Sequence, residues 1–456
     1  MGSNSDIINS ENGILQIRIG ENNNPNDIRE LISMFLPASE YEIDTSGEAI
    51  ASSKDELKRI LYKLLSQKTG QTLNWGILTG VKPLKLYSSL VDEHGESEAK
   101  MILKDDYYVS GDSIDLLTKT YETQQRTVSA PLPKSVSIYL GIPFCPSRCA
   151  YCSFTSNVGT EDAIKAYLKA LHKEILYVAK SMKRTGLRAE SIYLGGGTPT
   201  TLSPSEIDAL LAIIRNNIPC LDDFEFTVEA GRPDTLTKER CRILEDYKVD
   251  RISINPQSMN PESLARIGRN HNDTQIIKAF YLARENGNFT INADIIAGLP
   301  DEDVNNFSNT VQKMLELMPE NLTIHTLSIK KGSELRELSA ELCYNSKGLV
   351  SEMLSGICEH LNDYGYKPYY LYRQKHMLDN LENVGYALPG TECIYNIRIM
   401  EEKQTVIALG AGASTKVFFP SENRIERVFN VSNYEMYIDR IDEMIRRKEE
   451  GLFQFA

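Results

Sequence analysis

Six short runs of β-branched or aromatic residues alternate with longer segments of helical period between residues 135 and 329. Segment 161–182 repeats apolar residues on one helical face, and segment 203–217 opens with residues that favour a helix N-terminus. This alternation predicts an α/β fold in which six βα units form a partial (β/α)6 barrel of the TIM type. The runs are SVSIYL (135–140), ESIYLGG (190–196), FEFTVEA (224–230), DRISIN (250–255), FTINADII (289–296) and LTIHTLSI (322–329).

The remainder of the 456-residue chain is long enough for further domains on both sides of this barrel. Residues 1–133 mix acidic helical stretches with the segment WGILTGVKPLKLY and end in a proline-containing linker, so we expect a small N-terminal accessory domain. Residues 134–365 form the predicted barrel core. Residues 366–456 carry aromatic runs, glycine turns and a last helical segment, which predicts an α+β C-terminal domain.

Charge and hydropathy exclude several classes of partner. The net charge of -13 and the pI of about 5.2 disfavour broad attraction to nucleic acid or to anionic membranes. No stretch approaches the roughly 20 apolar residues of a membrane span, and the N-terminus lacks a signal-peptide pattern. We therefore expect a cytoplasmic protein without a nucleic-acid partner or a membrane span.

Three of the eight cysteines, Cys145, Cys149 and Cys152, fall together in GIPFCPSRCAYCSF after the first predicted strand. Three thiolates on one loop are enough to hold three irons of a [4Fe-4S] cubane and leave the fourth iron open. An open iron suits chelation of S-adenosylmethionine, which the cluster reduces to a 5'-deoxyadenosyl radical. The alternatives are a zinc knuckle, for which no second Cys/His cluster lies close in sequence, or unliganded core thiols. We expect the other five cysteines to be core thiols: Cys220, Cys241, Cys343, Cys358 and Cys393.

The order of several motifs resembles that of a known family. IYLGIPFCPSRCAYCSF, IYLGGGTPTTL, FTVEAGRPD, RISINPQSMN, IGRNH and INADIIAGLP occur in the order and approximate spacing of the radical SAM superfamily. Within it the chain resembles the oxygen-independent coproporphyrinogen III dehydrogenases and their relatives, which include heme chaperones and heme-degrading methyltransferases. The resemblance implies a radical SAM barrel with a [4Fe-4S] cluster and one or two S-adenosylmethionine molecules.

The same resemblance implies a set of site residues. Tyr139 is the candidate catalytic residue, since it resembles a tyrosine beside the sulfonium. For the polar side chains of this set, the alternative to binding the cofactor is an ion-pair network. For its glycines, the alternative is a tight turn. LGAGAST (409–415) looks like a family motif rather than a nucleotide fingerprint, and His325 is either a core residue or a ligand of the substrate. The expected cofactor contacts are Phe144, Gly196, Gly197, Thr198, Glu229, Gln257, Arg269, Asp294 and Ala297.

Two departures bear on the reaction. Phe154 stands where coproporphyrinogen dehydrogenases carry a fourth cysteine, and heme chaperones of the group share this phenylalanine. However, WGILTGVKPLKLY (75–87) and PYYLYRQKHMLDNLENVGYA (368–387) resemble the HemZ branch, which is assigned as a dehydrogenase. The leading hypothesis is oxidative decarboxylation of coproporphyrinogen III to protoporphyrinogen IX. The alternatives are a heme-binding chaperone-like protein and a radical SAM methyltransferase acting on heme.

The expected partners follow from that hypothesis. They are a tetrapyrrole, either coproporphyrinogen III or heme, and an electron donor such as flavodoxin or ferredoxin. Because propionates need cationic or hydrogen-bond-donating partners, we expect Arg373, Lys375 and Arg398 to contribute to the substrate site.

Overall fold

The computed structural model describes residues 7–11, 14–21, 24–46, 51–152, 157–329, 335, 348–375 and 377–454. The chain divides into two compact units, one made of Met1–Tyr121 with Tyr372–Glu382 and the other of Glu122–Leu371 with Asn383–Ala456. The domain limits expected from the sequence, 1–133, 134–365 and 366–456, stay a prediction.

The first unit contains a small three-stranded sheet. Its strands are β1 (Ile8–Glu11), β2 (Ile14–Arg18) and β3 (Tyr41–Asp44), with β1 antiparallel and β3 parallel to β2. The next helices along the chain are α1 (Pro25–Ser33), α2 (Lys54–Thr69), α3 (Pro83–His94), α4 (Glu96–Asp105) and α5 (Gly111–Thr127). Apolar side chains of the sheet, α1 and α2 form one buried core, which explains why this acidic segment folds.

The second unit is built on six parallel strands that are neighbours in chain order, which confirms the predicted α/β partial barrel. Both edges of these six strands carry further strands, so the barrel is not closed. The strands are β4 (Ser135–Ile142), β5 (Arg188–Gly196), β6 (Cys220–Glu229), β7 (Arg251–Ser253), β8 (Thr290–Ala297) and β9 (Asn321–Thr326). The helices between them are α6 (Glu161–Thr185), α7 (Pro204–Asn217), α8 (Lys238–Asp246), α9 (Pro261–Arg266), α10 (Asp273–Asn286) and α11 (Val304–Leu317).

The C-terminal strands extend this sheet rather than forming a sheet of their own. β10 (Lys367–Tyr372) and β11 (Asn383–Ala387) lie beyond β9, with β11 antiparallel to it. At the opposite edge β12 (Val406–Leu409) pairs parallel with β4, followed by the antiparallel strands β13 (Ser414–Phe419) and β14 (Arg424–Phe429). The last helices are α12 (Leu349–Leu354), α13 (Ile357–Asp363), α14 (Ile394–Glu401), α15 (Tyr434–Asp439) and α16 (Ile441–Lys448).

The long helix α6 packs on the sheet through the apolar face that the sequence predicts. Its N-cap is Thr160, whose side chain accepts from the Ala163 amide, and its C-cap is Gly186, whose φ of 77° suits glycine. Its apolar face is buried, with Leu171 and Val178 completely inaccessible. Among the described residues, no helix is both long and apolar enough to cross a membrane.

A buried charge on α6 joins the C-terminal segment to the barrel. The Glu174 carboxylate accepts hydrogen bonds from Lys448 Nζ at 2.6 Å, Tyr437 Oη at 2.6 Å and the Gly410 amide at 2.8 Å. Gly410 has a φ of +96°, and a Cβ there would lie 2.6 Å from the Gly141 oxygen. LGAGAST therefore forms a tight turn against the end of β4, which accounts for its glycines without a nucleotide.

The predicted core thiols are partly confirmed. Cys241 and Cys393 are completely buried, whereas Cys220 and Cys358 are partly exposed. Cys343 lies outside the described residues.

Candidate cluster and cofactor site

The cysteine loop follows β4 and is closed at its base. The Cys145 amide donates to the Asn157 oxygen at 3.0 Å, and the Asn157 amide donates back to the Pro143 oxygen at 2.9 Å. Within the loop, the Cys152 amide donates to the Cys149 oxygen at 3.0 Å. All three predicted ligands thus lie on one closed loop at the carboxyl end of a barrel strand, where parallel α/β barrels place their chemistry.

The end of β5 supports this loop through its glycines. The Gly197 amide donates to the Ile142 oxygen at 2.7 Å, and the Thr198 amide donates to the Phe144 oxygen at 2.8 Å. A Cβ on Gly197 would lie 2.5 Å from the Phe144 oxygen and 3.0 Å from Cys145 Sγ, so only glycine fits. Thr198 Oγ1 lies 3.4 Å from Cys145 Sγ. The predicted Gly-Thr segment is therefore a direct neighbour of the first cluster cysteine.

Arg269 is directed at the cysteine loop. Its Nη2 donates to Tyr151 Oη at 3.0 Å, and its Nη1 donates to the oxygens of Gly231 at 3.1 Å and Asn255 at 2.7 Å. Burial opposes its charge, but Tyr151 and Cys149 nearby raise the pKa of Arg269, which keeps the guanidinium charged. The expected contact of Arg269 with the cofactor carboxylate stays a prediction. Among the described residues, the Arg269 Nε atom has no hydrogen-bond partner.

The loop's surroundings fit a [4Fe-4S] cluster and a polar cofactor. Cys149 is buried, while Cys145 and Cys152 are partly exposed, and none of the three is part of a disulfide. Within the described ranges, no three His, Cys, Asp or Glu side chains converge as a preformed metal site. Three thiolates with a buried guanidinium beside them nevertheless suit an anionic cluster. Arg269 Nε and Asn255 Oδ1 are buried without a hydrogen-bond partner among the described residues, as expected where a polar ligand completes the site.

Glu229 ends β6 and faces the glycines of β5. Its carboxylate accepts from the Gly196 amide at 3.1 Å and from Tyr193 Oη at 2.7 Å. Burial, with a smaller contribution from Asp294, raises the pKa of Glu229 to about 7. Gly196 has a φ of +112°, and a Cβ there would lie 3.0 Å from the Ile142 oxygen. A cationic ligand beside Glu229 would favour its ionised form.

Tyr139 belongs to a group of three rings that the sequence only partly revealed. Its ring centroid lies 6.2 Å from that of Tyr193 and 6.3 Å from that of Tyr395, which α14 supplies. Tyr193 and Tyr395 stack at 4.5 Å. Burial raises the pKa of all three phenols, so they stay neutral hydrogen-bond donors.

One sequence signal could have identified Tyr193. The pentapeptide SIYLG occurs at 137–141 and again at 191–195, and the two copies pair in register on β4 and β5. Tyr139 and Tyr193 are directly opposite each other in this pairing and therefore share one face of the sheet. No comparable signal precedes Tyr395, which reaches the group from far downstream.

The end of β8 brings further predicted residues together. The Gln257 amide donates to the Asp294 oxygen at 2.9 Å, and Gln257 has an unusual positive φ of 68°. Asp294 Oδ2 lies 3.7 Å from His325 Nε2, so His325 lies beside a predicted cofactor residue. Ala297 is completely buried, and its oxygen accepts from the Leu327 amide at 3.0 Å. Ala297 is therefore part of the barrel core, and its contact with adenine stays a prediction.

The structure also buries Phe144, which we expected to contact the cofactor. Its ring is inaccessible and meets Tyr167 and Tyr434 edge-on, with centroids 5.4 and 5.3 Å away. These two rings already occupy the space around the phenyl group. Phe144 contributes to the site through its backbone oxygen, which accepts from Thr198.

The three basic residues expected to bind propionates already have partners. Arg398 is buried and donates to both Glu190 carboxylate oxygens, at 2.8 and 2.9 Å. Arg373 is buried in the first unit and donates to Asn380 Oδ1 at 2.7 Å. Lys375 forms an ion pair at 3.0 Å with Glu30. Arg373 and Arg398 therefore have structural contacts, Lys375 has a largely exposed side chain, and binding of propionates by these residues stays a prediction.

Comparisons with known proteins agree with this geometry. The sequence model of the Radical SAM superfamily matches residues 139–314. The oxygen-independent coproporphyrinogen-III oxidase-like protein HemZ of Bacillus subtilis is 39% identical over 416 residues, which are 90% of this chain and 83% of the relative. The heme chaperone HemW of Escherichia coli is 30% identical over 304 residues, 64% of this chain and 72% of the relative.

The solved structure of coproporphyrinogen III oxidase HemN from Escherichia coli shares the fold, with a TM-score of 0.52. It is 22% identical, and the match covers 74% of each chain. The cofactors predicted from the cysteine loop are confirmed by the superfamily, which uses a [4Fe-4S] cluster and S-adenosylmethionine. The chain belongs to the radical SAM superfamily and, within it, to the group that contains HemN, HemW and HemZ.

Proposed function

We propose that this protein catalyses the oxidative decarboxylation of coproporphyrinogen III to protoporphyrinogen IX. The observation that carries the proposal is the extent of the similarity to HemZ, which spans 90% of the chain at 39% identity. The similarity to the heme chaperone HemW of Escherichia coli spans 64% at 30% identity. A relative similar over nearly the whole chain is the better guide to the substrate.

Contacts within the first unit support this choice. Of the two segments that resemble the HemZ branch, 75–87 and the part 372–382 of the second one lie in this unit and contact each other there. Trp75 Nε1 donates to Glu382 Oε2 at 2.7 Å, and the Arg373 guanidinium lies 5.4 Å from the centroid of the Trp75 ring. Arg373 also donates to the Leu78 oxygen. The two segments thus form one packed feature that accompanies the similarity to HemZ.

For each propionate, the reaction removes one hydrogen atom from the β-carbon, releases CO2 and passes one electron to an external one-electron acceptor, which leaves a vinyl group. The cluster and S-adenosylmethionine, when bound, supply the 5'-deoxyadenosyl radical that accepts the hydrogen atom. In our proposal Cys145, Cys149 and Cys152 hold the cluster. Glu229 and the backbone at the end of β5 bind the polar part of the cofactor. Because the hydrogen leaves as an atom and the carboxylate leaves as CO2, no proton is removed from the substrate and this step needs no general base.

The tyrosine group is suited to a tetrapyrrole. Tyr139, Tyr193 and Tyr395 offer adjacent aromatic faces, which favour a large flat macrocycle and exclude water from it. The phenols of Tyr139 and Tyr395 remain protonated because burial raises their pKa, so they can donate hydrogen bonds to a propionate, whereas the Tyr193 phenol already donates to Glu229. His325, beside Asp294, is the further candidate for a propionate partner. A flavodoxin or ferredoxin remains the proposed electron donor.

Heme binding and transfer is the second candidate, because Phe154 replaces the fourth cysteine of the characterised dehydrogenases and several relatives are heme chaperones. Phe154 itself lies outside the described residues. A chaperone would use the same cofactors without converting a porphyrin.

The test is an anaerobic assay of the reconstituted protein with S-adenosylmethionine, a strong reductant and coproporphyrinogen III. We expect CO2, vinyl-bearing porphyrin products and 5'-deoxyadenosine to appear together. Cys220→Ala, which removes a cysteine outside the loop, is the matched control and should behave like the wild type. Cofactor cleavage without porphyrin conversion, with heme bound instead, would support the chaperone. Methylated heme with S-adenosylhomocysteine would identify a methyltransferase.

A further inference from the structure

Arg232 is a buried cation next to the cysteine loop. It is not among the site residues expected from the sequence. It follows β6 in the segment VEAGRPD, and its side chain is 4% exposed. The Arg232 oxygen accepts from the Thr235 amide at 3.0 Å and from Thr235 Oγ1 at 2.8 Å. These bonds form a tight turn that fixes the backbone from which the guanidinium extends.

The guanidinium is held in one orientation by Asp234. Nε and Nη2 of Arg232 each donate to a different Asp234 carboxylate oxygen, both at 3.1 Å. This paired contact leaves Nη1 directed at the cysteine loop, where it donates to Ser147 Oγ at 3.0 Å and to Cys149 Sγ at 3.9 Å. Because a guanidinium is planar and rigid, fixing two nitrogens also fixes the third.

A charged donor at this position acts on the redox state of a cluster ligated by Cys149. Hydrogen bonds to cluster sulfurs and nearby charge are among the factors that set the potential of iron–sulfur centres. Reduction adds one negative charge, and a buried cation stabilises the reduced state more than the oxidised one because screening by solvent is weak there. Asp234 is more exposed, at 26% of its side chain, so solvent weakens its opposing effect.

We propose that Arg232 is a positioning residue that raises the reduction potential of the [4Fe-4S] cluster by presenting Nη1 to the Cys149 sulfur. Arg269 adds a second positive charge beside Cys149 and also interacts with that thiol, while its Nη groups donate to Tyr151 and to two backbone oxygens. The proposal goes beyond the reaction on the tetrapyrrole. It requires only the cluster, so it can be tested without any substrate.

The experiment is a redox titration of the reconstituted protein, followed by the electron paramagnetic resonance signal of the reduced cluster. Iron and sulfide are measured on the same samples. Arg232→Met removes the charge and the donors, whereas Arg232→Lys keeps the charge without the rigid fork. The matched control is Arg240→Met, because Arg240 instead donates to the Leu202 oxygen at 2.9 and 3.2 Å.

We expect Arg232→Met to retain the cluster and to titrate at a more negative potential than the wild type. Arg232→Lys should fall between the two, and Arg240→Met should match the wild type. A full cluster in Arg232→Met with an unchanged potential would overturn the proposal. If Arg232→Met holds too little iron to titrate, Arg232→Lys decides, since a wild-type potential in that variant contradicts the role of the fork. Loss of porphyrin conversion alone bears only on the proposed function.

Discussion

Replacing Glu229 by glutamine should change how the stability of the cofactor-free protein depends on pH. Burial raises the pKa of Glu229 from 4.5 to about 7. A carboxyl group with a raised pKa in the folded state stabilises the fold fully below about pH 4.5 and loses that contribution as the pH rises through 7. At about 1.4 kcal/mol per tenfold change in proton affinity, the loss is about 3.5 kcal/mol at most. Residual exposure of the side chain makes the actual loss smaller.

The assay is urea unfolding of the wild type and Glu229→Gln across the interval from about pH 5 to about pH 8. The variant should become more stable relative to the wild type as the pH rises, because it never has to bury the charge. Glu161→Gln is the control, since the Glu161 side chain is 90% exposed. If the difference between Glu229→Gln and the wild type stays constant over the interval, the reasoning about buried charge at this site is refuted.

Binding of S-adenosylmethionine supplies the second half of this test. The cofactor carries net positive charge, so it should favour ionised Glu229 and bind more tightly as the pH rises through about 7. Equilibrium binding to the reconstituted protein should show this dependence in the wild type and lose it in Glu229→Gln. The same pH dependence in both proteins would remove Glu229 from the cofactor site.

Two further variants probe the framework around the loop. Gly197→Ala should lose most of its iron after reconstitution, because the new Cβ would lie 2.5 Å from the Phe144 oxygen, while Gly80→Ala, with no atom within 4 Å, should match the wild type. Equal iron in both would contradict the role of the glycine. Lys448→Met should cost about 3–5 kcal/mol in denaturant unfolding because it leaves the Glu174 carboxylate buried and unpaired. Adding Glu174→Gln to Lys448→Met should recover part of that loss of stability. If Lys448→Met alone is as stable as the wild type, the buried ion pair does not have this role.

The sequence predicts those parts of the fold that depend on local patterns. The six barrel strands and the buried face of α6 follow from the period of apolar residues, and the cysteine loop follows from the spacing of three thiols. Gly197 is predictable for the same reason, because a strand that ends in consecutive glycines signals close approach of another backbone. Each of these properties depends on a few residues that are neighbours in the sequence.

Contacts between distant segments could not be predicted in this way. Tyr395 joins Tyr139 and Tyr193 from a helix near the C-terminus, and Tyr434 covers the ring of Phe144. Likewise, the C-terminal strands add to both edges of the barrel sheet because those edges offer unpaired backbone groups. Arg232 was missed because a single arginine after a strand carries no pattern, and its role depends on the orientation that Asp234 imposes.

Comparison of Cys149→Ala with Cys220→Ala tests the central claim most directly. Both variants and the wild type are reconstituted anaerobically, and their iron, sulfide and iron–sulfur absorbance are measured. We predict about four irons and four sulfides per chain in the wild type and in Cys220→Ala, and loss of the absorbance in Cys149→Ala. Unchanged iron and sulfide in Cys149→Ala would contradict a cluster held by Cys145, Cys149 and Cys152.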